Sequence, residues 1–125
     1  MAHHTNLQIH KAAYDLLSIA ADLVKNMPRD FKGSFGRKIN EECIEILVLI
    51  ARANVARQKV AYIEDLLERL QVAELLIRLA RDKRFISIKQ YAEAVKLTAQ
   101  VGKQANGWKN YAATRPLHDG QGQHA

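Results

Sequence analysis

Cysteine is nearly absent from this chain: Cys43 stands alone among 125 residues. A single thiol closes no internal disulfide, so the fold cannot depend on oxidation, and a reducing, intracellular setting is expected. Cys43 falls within an apolar run and reads as a small core residue. Proline occurs only twice, and two of the six glycines, Gly120 and Gly122, fall near the C-terminus. Little therefore interrupts long helices. No long apolar run is present. The longest stretch, Ile46 to Ala51, is far short of the ~20 residues that a membrane span requires. Residues 1–10 are polar, without the apolar centre of a secretory signal, so the expected location is the cytoplasm, with no membrane partner.

What is present is the material of one helical domain. Hydrophobic residues make up 48% and charged residues 26%, enough for a core inside a solvated surface. Apolar residues recur at spacings of three, four and seven throughout, and no alternating strand pattern occurs. The fold expected is all-α, an up-down four-helix bundle over residues 1–114, with a disordered tail over 115–125 that is rich in Gly, Gln and His.

The first helix is expected over about 6–26, on a stripe of Leu7, Tyr14, Leu17, Ala21 and Val24, widened by Ala13, Leu16, Ala20 and Leu23. Pro28 ends it. Residues 29–36 read as a loop, with turning freedom at Gly33 and Gly36 and Ser34 as an N-cap. The second helix is expected over about 35–58. From Ile44 to Ala51 only Glu45 is polar, so this helix is buried on more than one side. Either it lies centrally or its second face meets another subunit. A four-helix bundle has no central helix, which favours the subunit contact and predicts an oligomer. A break near Gln58–Lys59 is expected, without Gly or Pro to mark it; the alternative is one continuous helix. The third helix covers about 60–83, on Ile63, Leu66, Leu67, Leu70, Ala73, Ile77 and Ala80. Ser87 reads as the N-cap of a fourth helix over about 88–113, with Tyr91, Val95, Ala99, Val101 and Trp108 inward. Gly102 and Gly107 imply either close helix approach or fraying.

The net charge of +6 is unevenly spread. From Arg78 to Arg115 nine bases face two acids, Asp82 and Glu93; from Lys25 to Lys38 five bases face Asp30. Acid concentrates at Glu41, Glu42, Glu45, Glu64, Asp65 and Glu68. Glu74 with Arg78, Asp65 with Arg69, and Asp15 with Lys11 are spaced to pair along helix faces. Lys89, Lys96 and Lys103 recur every seven residues and share one face, with Lys109 drifting off the row. Such a row suits a phosphate backbone, although an ordinary solvated face has the same pattern. Arg78, Arg81, Lys83, Arg84, Lys89, Lys96, Lys103 and Lys109 are the candidate nucleic-acid-binding residues, and Arg29, Lys32, Arg37 and Lys38 form a second, weaker patch. Phe85, Tyr91, Trp108 and Tyr111 read as core, so backbone contact is the more natural binding mode than base stacking.

Catalytic patterns are missing. No Glu is followed three residues later by His, as di-metal bundles require, and no zinc-binding His or Cys motif occurs. No Arg is followed four to six residues later by His, the pair found in some helical-bundle ribonucleases. No phosphate-cradling glycine loop or nucleophile elbow is present, so no cofactor, metal or catalytic residue is expected.

A set of short pieces, in order, carries a resemblance: Tyr14 to Leu17, Met27-Pro28-Arg29, Phe35-Gly36 with Ile39, Ala53-Asn54, Leu75 to Ala80, Ile86-Ser87 with Gln90-Tyr91, Val101-Gly102-Lys103 and Gly107-Trp108-Lys109. Together they resemble the Avd type of four-helix bundle, the accessory variability determinant of diversity-generating retroelements. A more distant similarity is to the intervening-sequence proteins of large-subunit rRNA genes. That branch carries an Asn-Ile-Ala-Glu-Gly-like run where Ile39 to Cys43 stands here, which favours the Avd branch. The resemblance implies a homopentameric barrel of bundles with basic outer surfaces. It also implies partnership with a reverse transcriptase and with the RNA or DNA backbone, and no chemistry of its own. Arg78, Lys103 and Lys109 lie in the matching motifs. Two other readings compete: an oligomeric scaffold with protein partners only, and a helical RNA-processing enzyme, the weaker because acid–base residues are missing.

Overall fold

In a computed structural model the described residues, 4–114, are all helical apart from short connections. Four long helices form the bundle: α1 (His4–Lys25), α3 (Arg37–Val55), α4 (Val60–Asp82) and α5 (Ile88–Thr114). A single α turn, α2 (Arg29–Phe31), and a π turn (Lys32–Gly36) lead into α3. Each long helix packs on two neighbours, in the cyclic order α1, α3, α4, α5, so the bundle is square and up-down. The tail expected over 115–125, and Arg115 with it, lies outside the described residues. Among the described residues no helix is long and apolar enough to cross a membrane.

The core takes one stripe from each helix. In α4 it is the expected one: Ile63, Leu66, Leu70, Ala73, Ile77 and Ala80 are buried, with Leu67 packed at its edge. In α1 the inward phase differs from the expected stripe. Ala13, Leu16, Ala20 and Leu23 form the centre with Ile9 and Ala12, whereas Tyr14 and Ala21 face solvent. The two rows are one residue apart, about 100° of rotation, and both keep helical spacing. Only the positions of α3 and α5 decide between them. The same correction applies to α5, where Val95 and Ala99 are exposed and the small residues Ala94, Thr98 and Ala105 line the core with Val101 and Trp108. Small side chains let α5 approach α4 closely. A β-carbon on Gly102 would stand 3.3 Å from the Leu70 Cδ2, while Gly107 has open space around it.

The segment 29–36 is helical rather than a loop, and Ser34 caps nothing. The Arg37 N–H reaches back to the Lys32 carbonyl, so the chain enters α3 without a free helix end to cap. Gly36 is helical, φ −64°, and its role is space: a β-carbon there would meet Val24 Cγ1 at 2.6 Å. Ser87, by contrast, is a true cap. Its hydroxyl accepts from the Gln90 N–H at 3.0 Å, and the Gln90 side-chain oxygen accepts from the Ser87 N–H at 2.8 Å, a reciprocal capping box.

The break between α3 and α4 is real and begins at Ala56, whose backbone is extended (φ −77°, ψ 149°). Lys59 holds it: its ammonium donates to the carbonyls of Ala53, Asn54 and Ala56 at 3.0, 3.1 and 2.8 Å. The Ala53 and Asn54 carbonyls belong to the last turn of α3, where helical donors run out, and Ala53 also accepts from the Ala56 N–H at 3.3 Å. A lysine bond to the preceding helix has no local signature like glycine's, which is why the sequence marks the stop so faintly.

Two ionisable residues sit inside. Glu42, one of the acids concentrated around the second and third helices, is 3% exposed. It accepts from Arg69 Nη1 at 3.1 and 3.2 Å and pairs with Lys38 Nζ at 2.9 Å. Arg69 also keeps its expected neighbour Asp65, at 3.9 Å. Cys43 is buried beside it as expected. Burial first, and the Glu42 charge second, push its thiol up to about 12. The sign follows: the native state holds this proton more tightly than the unfolded chain, so Cys43 adds stability that is lost as pH rises from about 9 toward 12. Denaturant midpoints should therefore fall more steeply over that window for the wild type than for Cys43→Ala. Parallel slopes would show that the thiol does not ionise with unfolding.

Candidate nucleic-acid interface

Three features decide where the basic residues lie. The first is the end of α4. The Phe85 N–H bonds the Ala80 carbonyl at 2.8 Å and the Arg84 N–H bonds the Arg81 carbonyl at 2.9 Å. This paired closure places residue 84 in the left-handed region, where φ is 62°. Glycine normally fills that position, and a side chain there costs about 1 kcal/mol. Here it is arginine, on an exposed turn next to exposed Lys83.

The second feature is an aromatic clasp. Phe85 stacks on Phe31 with ring centroids 4.5 Å apart, and its ring meets the edge of Phe35 at 5.9 Å. The clasp ties the α4–α5 turn to α2 and the π turn. It thereby unites the two basic clusters that are separate in the sequence, bringing Arg29 and Lys32 to the same end as Lys83 and Arg84. All four are exposed, and Phe31 itself remains 42% exposed. Among the expected core aromatics, Trp108 is buried, Phe85 and Tyr91 are half-buried, and Tyr111 is exposed.

The third feature is the distribution of acids. Arg81 is committed locally. It donates to Asp82 from Nε and Nη2 at 3.0 and 2.7 Å, and its guanidinium lies 4.4 Å from the centre of the Tyr91 ring. The hydrogen bond to Asp82 raises its pKa most; desolvation opposes this, and the charges of Asp82 and Tyr91 add to it. Lys89, Lys96 and Lys103 are all exposed on α5, as their spacing requires. Lys103 and half-buried Lys109, however, line a groove against α4 together with Glu64, Glu68 and Glu74. Arg78 is exposed and lines the continuation of that groove with Glu74, Leu75, Tyr91 and Val95. The expected Glu74–Arg78 ion pair is not among the pairs formed by the described residues, whereas Lys11–Asp15 is present at 3.1 Å.

The eight candidate bases thus divide. Lys83, Arg84 and Lys89 gather at the clasped end, joined by Arg29 and Lys32. Lys96 continues along α5, Arg78, Lys103 and Lys109 line the groove with acids, and Arg81 is held by Asp82. The groove holds three glutamates, whereas at the clasped end the five bases meet Asp30 and an Asp82 already paired with Arg81. Among the described residues no group of three or more His, Cys, Asp or Glu side chains is placed to hold a metal.

The bAvd-like family profile matches residues 7–112, nearly the whole bundle. The chain belongs to the bAvd-like family. No curated protein and no solved structure matches it. The match runs from α1 through α5, so this bAvd-like bundle includes the clasped end, the Lys89–Lys103 row and the mixed groove.

Proposed function

We propose that this protein is a non-catalytic accessory subunit that holds nucleic acid for the reverse transcriptase of a diversity-generating retroelement during mutagenic retrohoming, working in the cytoplasm as a homo-oligomer. Membership of the bAvd-like family supports the retroelement setting. The observation that carries nucleic-acid binding is the basic end of the bundle, which continues onto the outer face of α5. Phosphate contact through lysine and arginine, without base reading, is the mode such a surface supports.

Apolar side chains left in water support the oligomer. Ile44 on α3 is 48% exposed and Leu75 on α4 is 56% exposed, with Leu79 beside the latter. Different helices carry these patches. Joining one copy's α3 to the next copy's α4 is a head-to-tail contact, which gives a ring when its rotation closes; a pentameric barrel is the assembly the Avd resemblance implies. The same patches favour the alternative of a scaffold with protein partners only.

RNA binding measured across salt concentrations separates the two. Several phosphate contacts give a steep fall in affinity with salt, with log K dropping by about 0.7 per contact for each decade on a single strand. A scaffold with protein partners alone gives an oligomer by light scattering and no RNA retention. A reverse-transcriptase gene beside this one would support the retroelement setting independently.

A further inference from the structure

Arg84 occupies a position that favours glycine, and the partly exposed ring of Phe31 stacks on its chain neighbour, Phe85. The left-handed closure of α4 would form more readily with glycine, so the arginine there works against stability. Strain kept at one exposed residue points to a use for its side chain. That side chain lies next to Lys83, and the Phe31–Phe85 stack brings Arg29 and Lys32 to the same place. Two acids are near in sequence, Asp30 and Asp82, and Asp82 is occupied by Arg81 at 2.7 Å. Phe31 is stacked on Phe85 yet keeps 42% of its surface in water.

We propose that this end of the bundle is a binding site for single-stranded nucleic acid. Arg84, Lys83, Arg29 and Lys32 hold backbone phosphates, and the open part of Phe31 receives a base. The inference rests on the nucleic-acid reading above and goes beyond it by assigning the entry point of the strand and its single-stranded state. A duplex offers the same phosphates but keeps its bases stacked inside, so only a single strand uses both halves of the site. From this end the strand has a path onto Lys89 and Lys96 along α5.

The test is fluorescence anisotropy of the full chain with short labelled oligouridine, oligothymidine and a mixed-sequence duplex, alongside thermal melting. Arg84→Gly should melt higher, by about 3 °C, and yet bind both single strands about tenfold more weakly, with a flatter salt dependence. A variant that gains stability while losing affinity cannot owe the loss to misfolding. Arg84→Lys should keep affinity within about twofold. Phe31→Ala removes the stack as well as the base platform, so both forms should weaken, the single strand by about fivefold or more beyond the duplex, while Phe31→Trp should preserve both. If the wild type binds and Arg84→Gly binds equally well, this site is wrong and the broader nucleic-acid reading stands. If Phe31→Ala weakens duplex and single strand alike, the assignment to single strands is overturned. If the wild type binds none of the three, both readings fail.

Discussion

Arg69→Met should destabilise the fold by about 3 kcal/mol, as much as truncating a large core side chain. The Glu42 carboxylate is 3% exposed and has two cationic partners, Arg69 and Lys38. Lys38 is 52% exposed against 28% for Arg69, so it only partly replaces the less hydrated guanidinium. Losing Arg69 leaves the carboxylate with Lys38 alone, at 2.9 Å, beside Ile39, Cys43 and Ile46, its buried neighbours along α3. The matching double variant, Glu42→Leu with Arg69→Met, removes the charge along with its partner and should return to within about 1 kcal/mol of the wild type. Urea unfolding of the two single variants and the double closes the cycle. Additive losses in the double variant would mean that packing around Arg69, and not its pairing with Glu42, is what matters.

The largest effect on function is expected from reversing the α5 row. Lys89→Glu, Lys96→Glu and Lys103→Glu together should lower RNA affinity on the order of a hundredfold and flatten the salt dependence by about two units of slope. The three single variants should not be equal. Lys89 leads out of the clasped basic end, whereas Lys103 lies in the groove with Glu64, Glu68 and Glu74. Lys89→Glu should therefore cost the most and Lys103→Glu the least, read by filter retention at fixed salt. Unchanged retention in the triple variant would remove α5 from the binding surface. An order running from Lys103 to Lys89 would place the strand at the other end of the bundle.

Sequence periodicity was sufficient for some elements and ambiguous for others. The inward stripe of α4 was legible because its seven apolar positions keep one unbroken helical row, even though Val72, Leu75, Leu76 and Leu79 lie outside it. The stripes of α1 and α5 were not, because alanine-rich helices offer two rows with equal spacing, and alanine fits inside or outside. Ser87 was legible as a cap because its partner Gln90 is three residues away. Ser34 was misread because a cap needs a helix end, and whether the chain ends or continues through a π turn depends on how α3 docks against α1 near Val24 and Gly36.

The candidate site divides the same way. The excess of basic residues and the heptad row on α5 are properties of the linear chain, and so is the absence of patterned catalytic residues. That Glu42 lies inside, that Lys103 faces acids and that Phe31 meets Phe85 are not. Each is a contact between residues far apart in the chain.

The sequence by itself determined the helical class, the four long segments and the sign of the surface charge, because these arise from spacings within a few turns of one helix. Only the tertiary structure decided which face of α1 and α5 points inward and which basic residues share a surface. Those choices follow from packing between helices, where a rotation of one residue exchanges core for solvent.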